Sequence, residues 1–232
     1  MSAPSVSFKT RCIELLPLIA LFAFVYNPWT KFPFTFLIII AAVLAWCEWR
    51  DGNLKGIGLD TKGNFITLIT RVILLFIAVE IVMDFVVQPL VNKITGETVD
   101  YSTFNRLAHQ TPKYFKYLLY TWISAAFGEE ILFRGFVFRQ LNIVMHGVKG
   151  KTIIIAILSS LLFALPHYYM GPGGLIITFL FGLAFSIIYI RSGYNLWLTI
   201  LLHGLIDSLF LTLAWLGKLE YYEFANRLVW GY

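Results

Sequence analysis

About seven long apolar runs divide this chain, and they restrict its fold more than any other feature. The 232 residues are 59% hydrophobic and only 13% charged, with a mean hydropathy of +0.76. A soluble domain is about one-quarter charged. This composition predicts a protein that crosses a membrane several times. The runs lie at about 13–29, 34–49, 65–88, 117–138, 152–169, 174–191 and 195–216.

These runs predict an all-α, polytopic membrane bundle of about seven spans, with residues 1–232 forming one membrane-embedded domain. The small size and compact loops favour a bacterial plasma membrane as its location. The net charge of +5 does not indicate a nucleic-acid partner, because Lys and Arg in such a chain lie mostly in short loops. Cys12 and Cys47 have no metal-type spacing. Between the third and fourth runs, aromatic residues predict an interfacial helix over roughly 101–117.

The stretch FGEEILFRGFVFR, residues 127–139, places three ionisable residues inside an apolar run. Each ionised side chain at the centre of a membrane helix costs about 2.5–3.5 kcal/mol. Glu130 and Arg134 are four residues apart and share one helical face, so they can form an ion pair. Glu129 points about 100° away and is left without this partner. It could therefore act as a general base, although the whole motif could also be only a salt bridge between helices.

Two histidines lie in later runs. His167 follows Pro166, which is expected to bend the fifth run, and Phe163 lies one turn earlier. His203 lies in the middle of the seventh run, with Asp207 one turn further on. That spacing suits an aspartate that orients the imidazole, or two donors that converge on one point. A histidine at the interface and a His–Asp hydrogen bond that only fixes helix packing are the structural alternatives.

Other acidic and metal-binding possibilities stay open. Glu129, His167 and His203 together resemble a zinc ligand set, but no HExxH motif occurs and each residue comes from a separate run. We therefore expect no cofactor, with zinc as the alternative. Glu80 and Asp84 are one turn apart in the third run, and we predict no catalytic role for them.

Three motifs occur in a fixed order within the apolar runs: EExxxR, FxxxH and HxxxD. In this order they resemble the CAAX-protease and bacteriocin-processing family, the intramembrane proteases that include the type II prenyl-protein endopeptidases. The resemblance covers a core of about residues 115–215. Residue 207 is often Asn in the family pattern, and Asp207 changes its expected role from an amide donor to a carboxylate.

The resemblance implies a helical bundle with a water-filled catalytic cavity. It implies Glu129 as the general base and His167 as the residue that helps hold the attacking water. His203 and Asp207 would stabilise the oxyanion of the tetrahedral intermediate. The supporting residues would be Glu130, Arg134 and Phe163.

The expected function is an intramembrane endopeptidase of the CAAX prenyl protease type, a hydrolase that cleaves a membrane-associated protein or peptide. The substrate is lipidated in the founding members and more often a peptide precursor or membrane regulator in bacteria. One alternative is an immunity or scaffold protein of the same fold without proteolytic activity. A small proton-coupled transporter would also explain the buried charges, but it does not account for the order of the motifs.

Overall fold

The computed structural model describes residues 7–60 and 64–230, and every regular element in those residues is helical. The predicted all-α class is therefore confirmed. Short 3₁₀ turns occur at Lys55–Ile57, Ser102–Leu107 and Leu165–Met170. The helices are α1 (Phe8–Val25), α2 (Phe34–Asp51), α3 (Phe65–Thr95), α4 (111–144), α5 (Lys151–Ala164), α6 (Gly171–Arg191), α7 (Leu196–Trp215) and α8 (Tyr221–Trp230).

Within the described residues, 3 helical stretches are long and apolar enough to cross a membrane: Phe65–Thr95, Lys151–Arg191 and Leu196–Trp215. They support an integral membrane protein. The stretch Lys151–Arg191 folds back on itself, because Gly171 has φ 78° and ψ 178°. As a result α5 and α6 form an antiparallel pair, in which a Cβ on Gly182 would lie 3.0 Å from the Ser160 Cα. The number of seven spans stays a prediction.

The predicted interfacial helix over 101–117 is wrong. A 3₁₀ turn at Ser102–Leu107 is followed by His109, whose φ of 58° interrupts any helix there. The His109 backbone N–H donates to the Trp215 carbonyl at 2.7 Å, so this break is tied to the end of α7. Helix α4 then begins at Thr111 with a proline in its first turn, a position that suits proline because the N–H there has no helical partner.

Helix α4 is the central element of the bundle. Every residue from 130 to 141 is buried, and wide π turns occupy Thr121–Glu129 and Ile131–Val137. The Ser124 hydroxyl donates to the Pro33 carbonyl before α2 at 3.0 Å. The Phe133 carbonyl accepts from Ser159 of α5 at 2.8 Å. Because π turns are frequent at functional sites, the two π turns around the EExxxR motif favour a functional role for this part of α4.

A buried ionic network joins the N-terminal helices to α4. Glu14 of α1 forms ion pairs with Arg50 at 2.7 Å and with Arg139 at 3.0 Å. Arg139 also pairs with Asp51 at the end of α2, at 2.7 Å. Since Glu14 is 2% exposed, this network compensates for charges that would be costly to leave unpaired. This network holds α1 and α2 against the C-terminal end of α4.

Packing of α7 against α4 depends on Gly204. A Cβ at this position would overlap the Trp122 ring, whose Nε1 donates to the Ser208 hydroxyl at 3.0 Å. We predict that Gly204→Ala lowers the free energy of unfolding by about 1–3 kcal/mol because it overpacks this contact. Gly173→Ala is the control, since a Cβ there meets Val99 at an ordinary 3.5 Å. Melting curves in detergent test this, and equal melting temperatures for the two variants would contradict it.

Candidate active site

The Glu130–Arg134 pair predicted from the spacing is present in α4. The Arg134 Nη1 donates to the Glu130 Oε1 at 2.7 Å, and both side chains are 0% exposed. A charged pair this deeply buried is retained only when its geometry and its remaining hydrogen bonds compensate for lost hydration. The prediction from the helical period is confirmed.

Arg134 is held from two other helices. Its Nη2 donates to the Gly182 carbonyl of α6 at 3.2 Å. Its guanidinium carbon lies 4.3 Å from the ring centroid of Phe163 and 5.1 Å from that of Phe185. Both distances fall within the range of cation–π attraction. Phe163, expected to be a supporting residue, therefore contacts Arg134 directly.

His203 of α7 lies between two carboxylates. Its Nδ1 is 3.0 Å from the same Glu130 Oε1 that binds Arg134, and its Nε2 is 3.4 Å from the Asp207 Oδ2. The Phe185 ring packs on the imidazole with centroids 5.4 Å apart. The His203–Asp207 contact was expected from their spacing. The contact with Glu130 joins α7 to α4, and it makes Glu130 an orienting group for His203 as well as the counter-ion of Arg134.

Glu129 is the neighbouring carboxylate, and it differs from Glu130. Its side chain is half-buried, and within the described residues no other group hydrogen-bonds to it. Its carboxylate interacts electrostatically with His203 and Asp207 of α7 and with Glu130 and Arg134 of its own helix. The two adjacent glutamates therefore have different surroundings, as their directions on the helix predicted.

His167 lies in the 3₁₀ turn Leu165–Met170, where the helix of α5 ends before Pro166. Its Nδ1 is 3.0 Å from the Phe163 carbonyl. Because a carbonyl only accepts hydrogen bonds, the Nδ1 carries the proton, and the Nε2 of the neutral ring is left as an acceptor. His167 also interacts electrostatically with His203. The break at Pro166 thus brings the end of the fifth run towards the middle of the seventh.

Three contacts of the site were missed from the sequence. Phe185 and the Gly182 carbonyl come from α6, which is apolar on all sides and carries no period that could single them out. The Tyr169 ring stacks on His167 with centroids 6.3 Å apart, and Tyr169 interacts electrostatically with Glu129 and Asp207. Its position two residues after His167 is the only sequence signal for it.

The zinc alternative does not fit this arrangement well. Among the residues that the structure describes, no group of three His, Cys, Asp or Glu side chains is placed to hold a metal ion. Both ring nitrogens of His203 already face carboxylates, and the Nδ1 of His167 faces a carbonyl. We therefore derive no step through a metal.

These features describe a helical membrane protein in which one buried ion pair organises a cluster of carboxylates and histidines. Residues 111–209 match the family model described as Type II CAAX prenyl endopeptidase Rce1-like. The matched residues form an Rce1-like domain hit that contains all three motifs, in agreement with the family that the motifs indicate. No curated protein and no solved structure matches the chain.

The Glu130–Arg134 pair generates a stability prediction. Glu130→Gln leaves Arg134 without its anion inside the bundle and should cost about 3–5 kcal/mol of unfolding free energy. Combining it with Arg134→Met should recover part of that loss. Melting curves in detergent measure both.

The matched control is Glu220→Gln, which breaks the ion pair between Glu220 and Lys218. Both of these side chains are 64% exposed. Exposed pairs contribute little, so its melting temperature should not change measurably. Equal effects of the buried and exposed variants would contradict the role given to Glu130.

Proposed function

We propose that the chain is an intramembrane endopeptidase that hydrolyses a peptide bond with a water activated by Glu129. One observation carries this proposal: the half-buried Glu129 carboxylate has no hydrogen-bond partner among the described residues and interacts electrostatically with His203 and Asp207, whereas the Oε1 of the adjacent Glu130 binds both Arg134 and His203. The Rce1-like domain supports peptidase activity as the general function.

Peptide hydrolysis needs a base, a positioned water and a donor to the oxyanion. In the proposed mechanism Glu129 takes a proton from the attacking water, and the hydroxyl forms a bond to the carbonyl carbon. The Nε2 of His167 accepts the second hydrogen of that water and so fixes its orientation. This role agrees with the hydrogen bond of its Nδ1 to the Phe163 carbonyl.

The oxyanion of the tetrahedral intermediate would be stabilised from α7. The His203 Nε2 and the Asp207 Oδ2 lie 3.4 Å apart, and each would donate a hydrogen bond to the oxyanion from its protonated form. The C–N bond then breaks, and Glu129 returns its proton to the leaving amine. In this scheme Glu130 is a positioning residue, because it acts through the Nδ1 of His203 at 3.0 Å.

The proposed substrate is a membrane-associated protein or peptide. We propose that the segment enters beside Tyr169, which is 54% exposed and stacks on His167. A lipidated C-terminal segment and an unmodified peptide precursor are both compatible with this entry. Incubating the purified protein with a tagged membrane proteome and identifying new C-termini by mass spectrometry tests the proposal. New C-termini should depend on Glu129, and their absence would favour a scaffold or immunity role.

Glu129→Gln is the sharpest mutation for this mechanism. It keeps the shape of the side chain and removes the base, so cleavage should fall by at least about 100-fold, the order of effect typical of losing a general base. Since Glu129 has no hydrogen-bond partner among the described residues, the melting temperature should stay near wild type. A peptide-cleavage rate beside a melting curve measures both. Cleavage near the wild-type rate would show that another group is the base.

Metal dependence is a separate prediction. The His203 nitrogens face Glu130 and Asp207, and the chain has no HExxH spacing, so we expect cleavage to survive strong chelators. The measurement is the cleavage rate after exhaustive chelation, together with the metal content of the purified protein. One tightly bound zinc per chain, with activity lost on its removal and restored on its return, would replace the glutamate mechanism with a metal-bound water.

A further inference from the structure

A line of polar residues follows one face of α3, which is otherwise strongly apolar. Glu80, Asp84, Gln88 and Asn92 are each four residues apart, and a π turn at Met83–Val87 lies in their middle. A spacing of four residues keeps side chains on one helical face. Apart from Glu80, which is half-buried, these side chains are 4–8% exposed. Helix α3 thus turns its polar face towards the protein, which is the reverse of a soluble amphipathic helix.

The lipid side of the same helix is apolar at the same depth. Ile81, Val86 and Leu90 are 54%, 56% and 45% exposed. A polar residue that only marked the membrane surface would lie on this side. The four polar residues instead face the bundle, where leaving them unpaired in low dielectric is costly.

Polar groups from two other segments lie against this line. The Tyr101 hydroxyl donates to the Gln88 Oε1 at 3.0 Å. Tyr221 of α8 interacts with Asp84, and Tyr222 packs on Tyr101 with ring centroids 5.0 Å apart. Together these residues form a polar seam between α3, α8 and the loop before α4, and Asn226, one turn after Tyr222 in α8, is 8% exposed.

The seam holds more polar atoms than the protein itself satisfies. Nine buried side-chain atoms of the described residues lack a hydrogen-bond partner, and five of the nine belong to α3 residues of the seam or to Asn226: Glu80 Oε1, Asp84 Oδ2, Asn92 Nδ2, Asn92 Oδ1 and Asn226 Oδ1. Each buried unsatisfied group costs about 1–3 kcal/mol. Buried polar atoms without a protein partner are normally bound to ordered water. The amide of Asn92, with both of its polar atoms unpaired, requires such partners most clearly.

One end of the seam points towards the candidate active site, because α3 packs against α7. Glu80 interacts electrostatically with Asp207 of α7, whose Oδ2 is 3.4 Å from the His203 Nε2. At the other end α3 stops at Thr95, and Gly96 and Glu97 are exposed. The rise of about 1.5 Å per residue makes the stretch from Glu80 to Asn92 about 18 Å long. This is more than half of a hydrocarbon core of about 30 Å.

We propose that this seam binds a file of water molecules, which connects the membrane surface at the end of α3 with the carboxylate of Asp207. This water file rests on the proposed function, because peptide hydrolysis is the reaction that would use its water. Each peptide bond cleaved consumes one water, whose hydroxyl enters the new carboxyl group and whose proton goes to the new amine. A substrate that fills the entry beside Tyr169 blocks water from that side, and the seam supplies it from another.

Thiol labelling tests the water file directly, without reference to cleavage. Cys12 and Cys47 are first replaced by Ser, and single cysteines are placed by Gln88→Cys and Asn92→Cys in the full chain in lipid vesicles. The probe is methanethiosulfonate ethylammonium, which reacts with the thiolate. Thiolates form in water and are suppressed in apolar surroundings. The matched controls on the lipid side of α3 are Val86→Cys and Leu90→Cys.

We expect the two seam cysteines to react at least about tenfold faster than the two lipid-facing cysteines, because only the seam provides water for thiolate formation. Two seam positions are labelled, so that if one variant has a folding defect, seen as a lowered melting temperature, the labelling rate of the other still tests the proposal. Equal rates on both sides of the helix would overturn the proposal. Fast labelling of Asn92→Cys alone would reduce the seam to a surface pocket and would overturn its connection to the site.

A second variant separates this inference from the proposed function. Gln88→Leu fills the seam with an apolar side chain, and it should lower kcat several-fold while KM stays unchanged. Val86→Leu is the lipid-facing control and should leave both unchanged. Cleavage without fast seam labelling would reject the water file alone, whereas fast labelling in a protein that cleaves no substrate would reject the proposed function alone.

Discussion

The buried ion pair between Glu130 and Arg134 is the interaction on which the rest of the site depends. Arg134 is 0% exposed, and its charge is compensated by Glu130 at 2.7 Å, by the Gly182 carbonyl and by the faces of two phenylalanine rings. Removing Glu130 would leave the guanidinium charge without its anion in the middle of an apolar bundle. One cation therefore ties α4 to α5 and α6. The same Glu130 oxygen continues the connection to His203 of α7.

This arrangement explains why two glutamates are adjacent. Glu130 has a structural role, because its Oε1 binds both Arg134 and His203. Glu129 forms no hydrogen bond or ion pair among the described residues, and its carboxylate interacts with His203, Asp207 and Arg134 only electrostatically. A single glutamate could not hold the helices together and also exchange protons with a water. The proposed chemistry follows from this division between a fixed carboxylate and a free one.

Local periods in the sequence were sufficient to predict contacts within one helix. The Glu130–Arg134 pair, the His203–Asp207 contact and the break at Pro166 all follow from spacing or from the chemistry of proline. Contacts between helices could not be predicted in this way. The Glu130–His203 pair joins residues far apart in sequence, and Phe185 comes from a helix that is apolar on all sides. The failed interfacial helix has the same cause, since the turn at His109 is held by the end of α7.

Nitrogen-15 NMR of the histidine rings in the lipid-reconstituted protein, which has 4 histidines, tests whether the buried ion pair organises the site. We predict that His167 is the tautomer protonated on Nδ1, and that Glu130→Gln shifts the Nδ1 resonance of His203 while that of His167 stays in place. The His167→Gln and His203→Gln variants assign the ring resonances to these two histidines. A His167 protonated on Nε2, or a His203 Nδ1 resonance that ignores the loss of Glu130, would contradict the proposed organisation of the site.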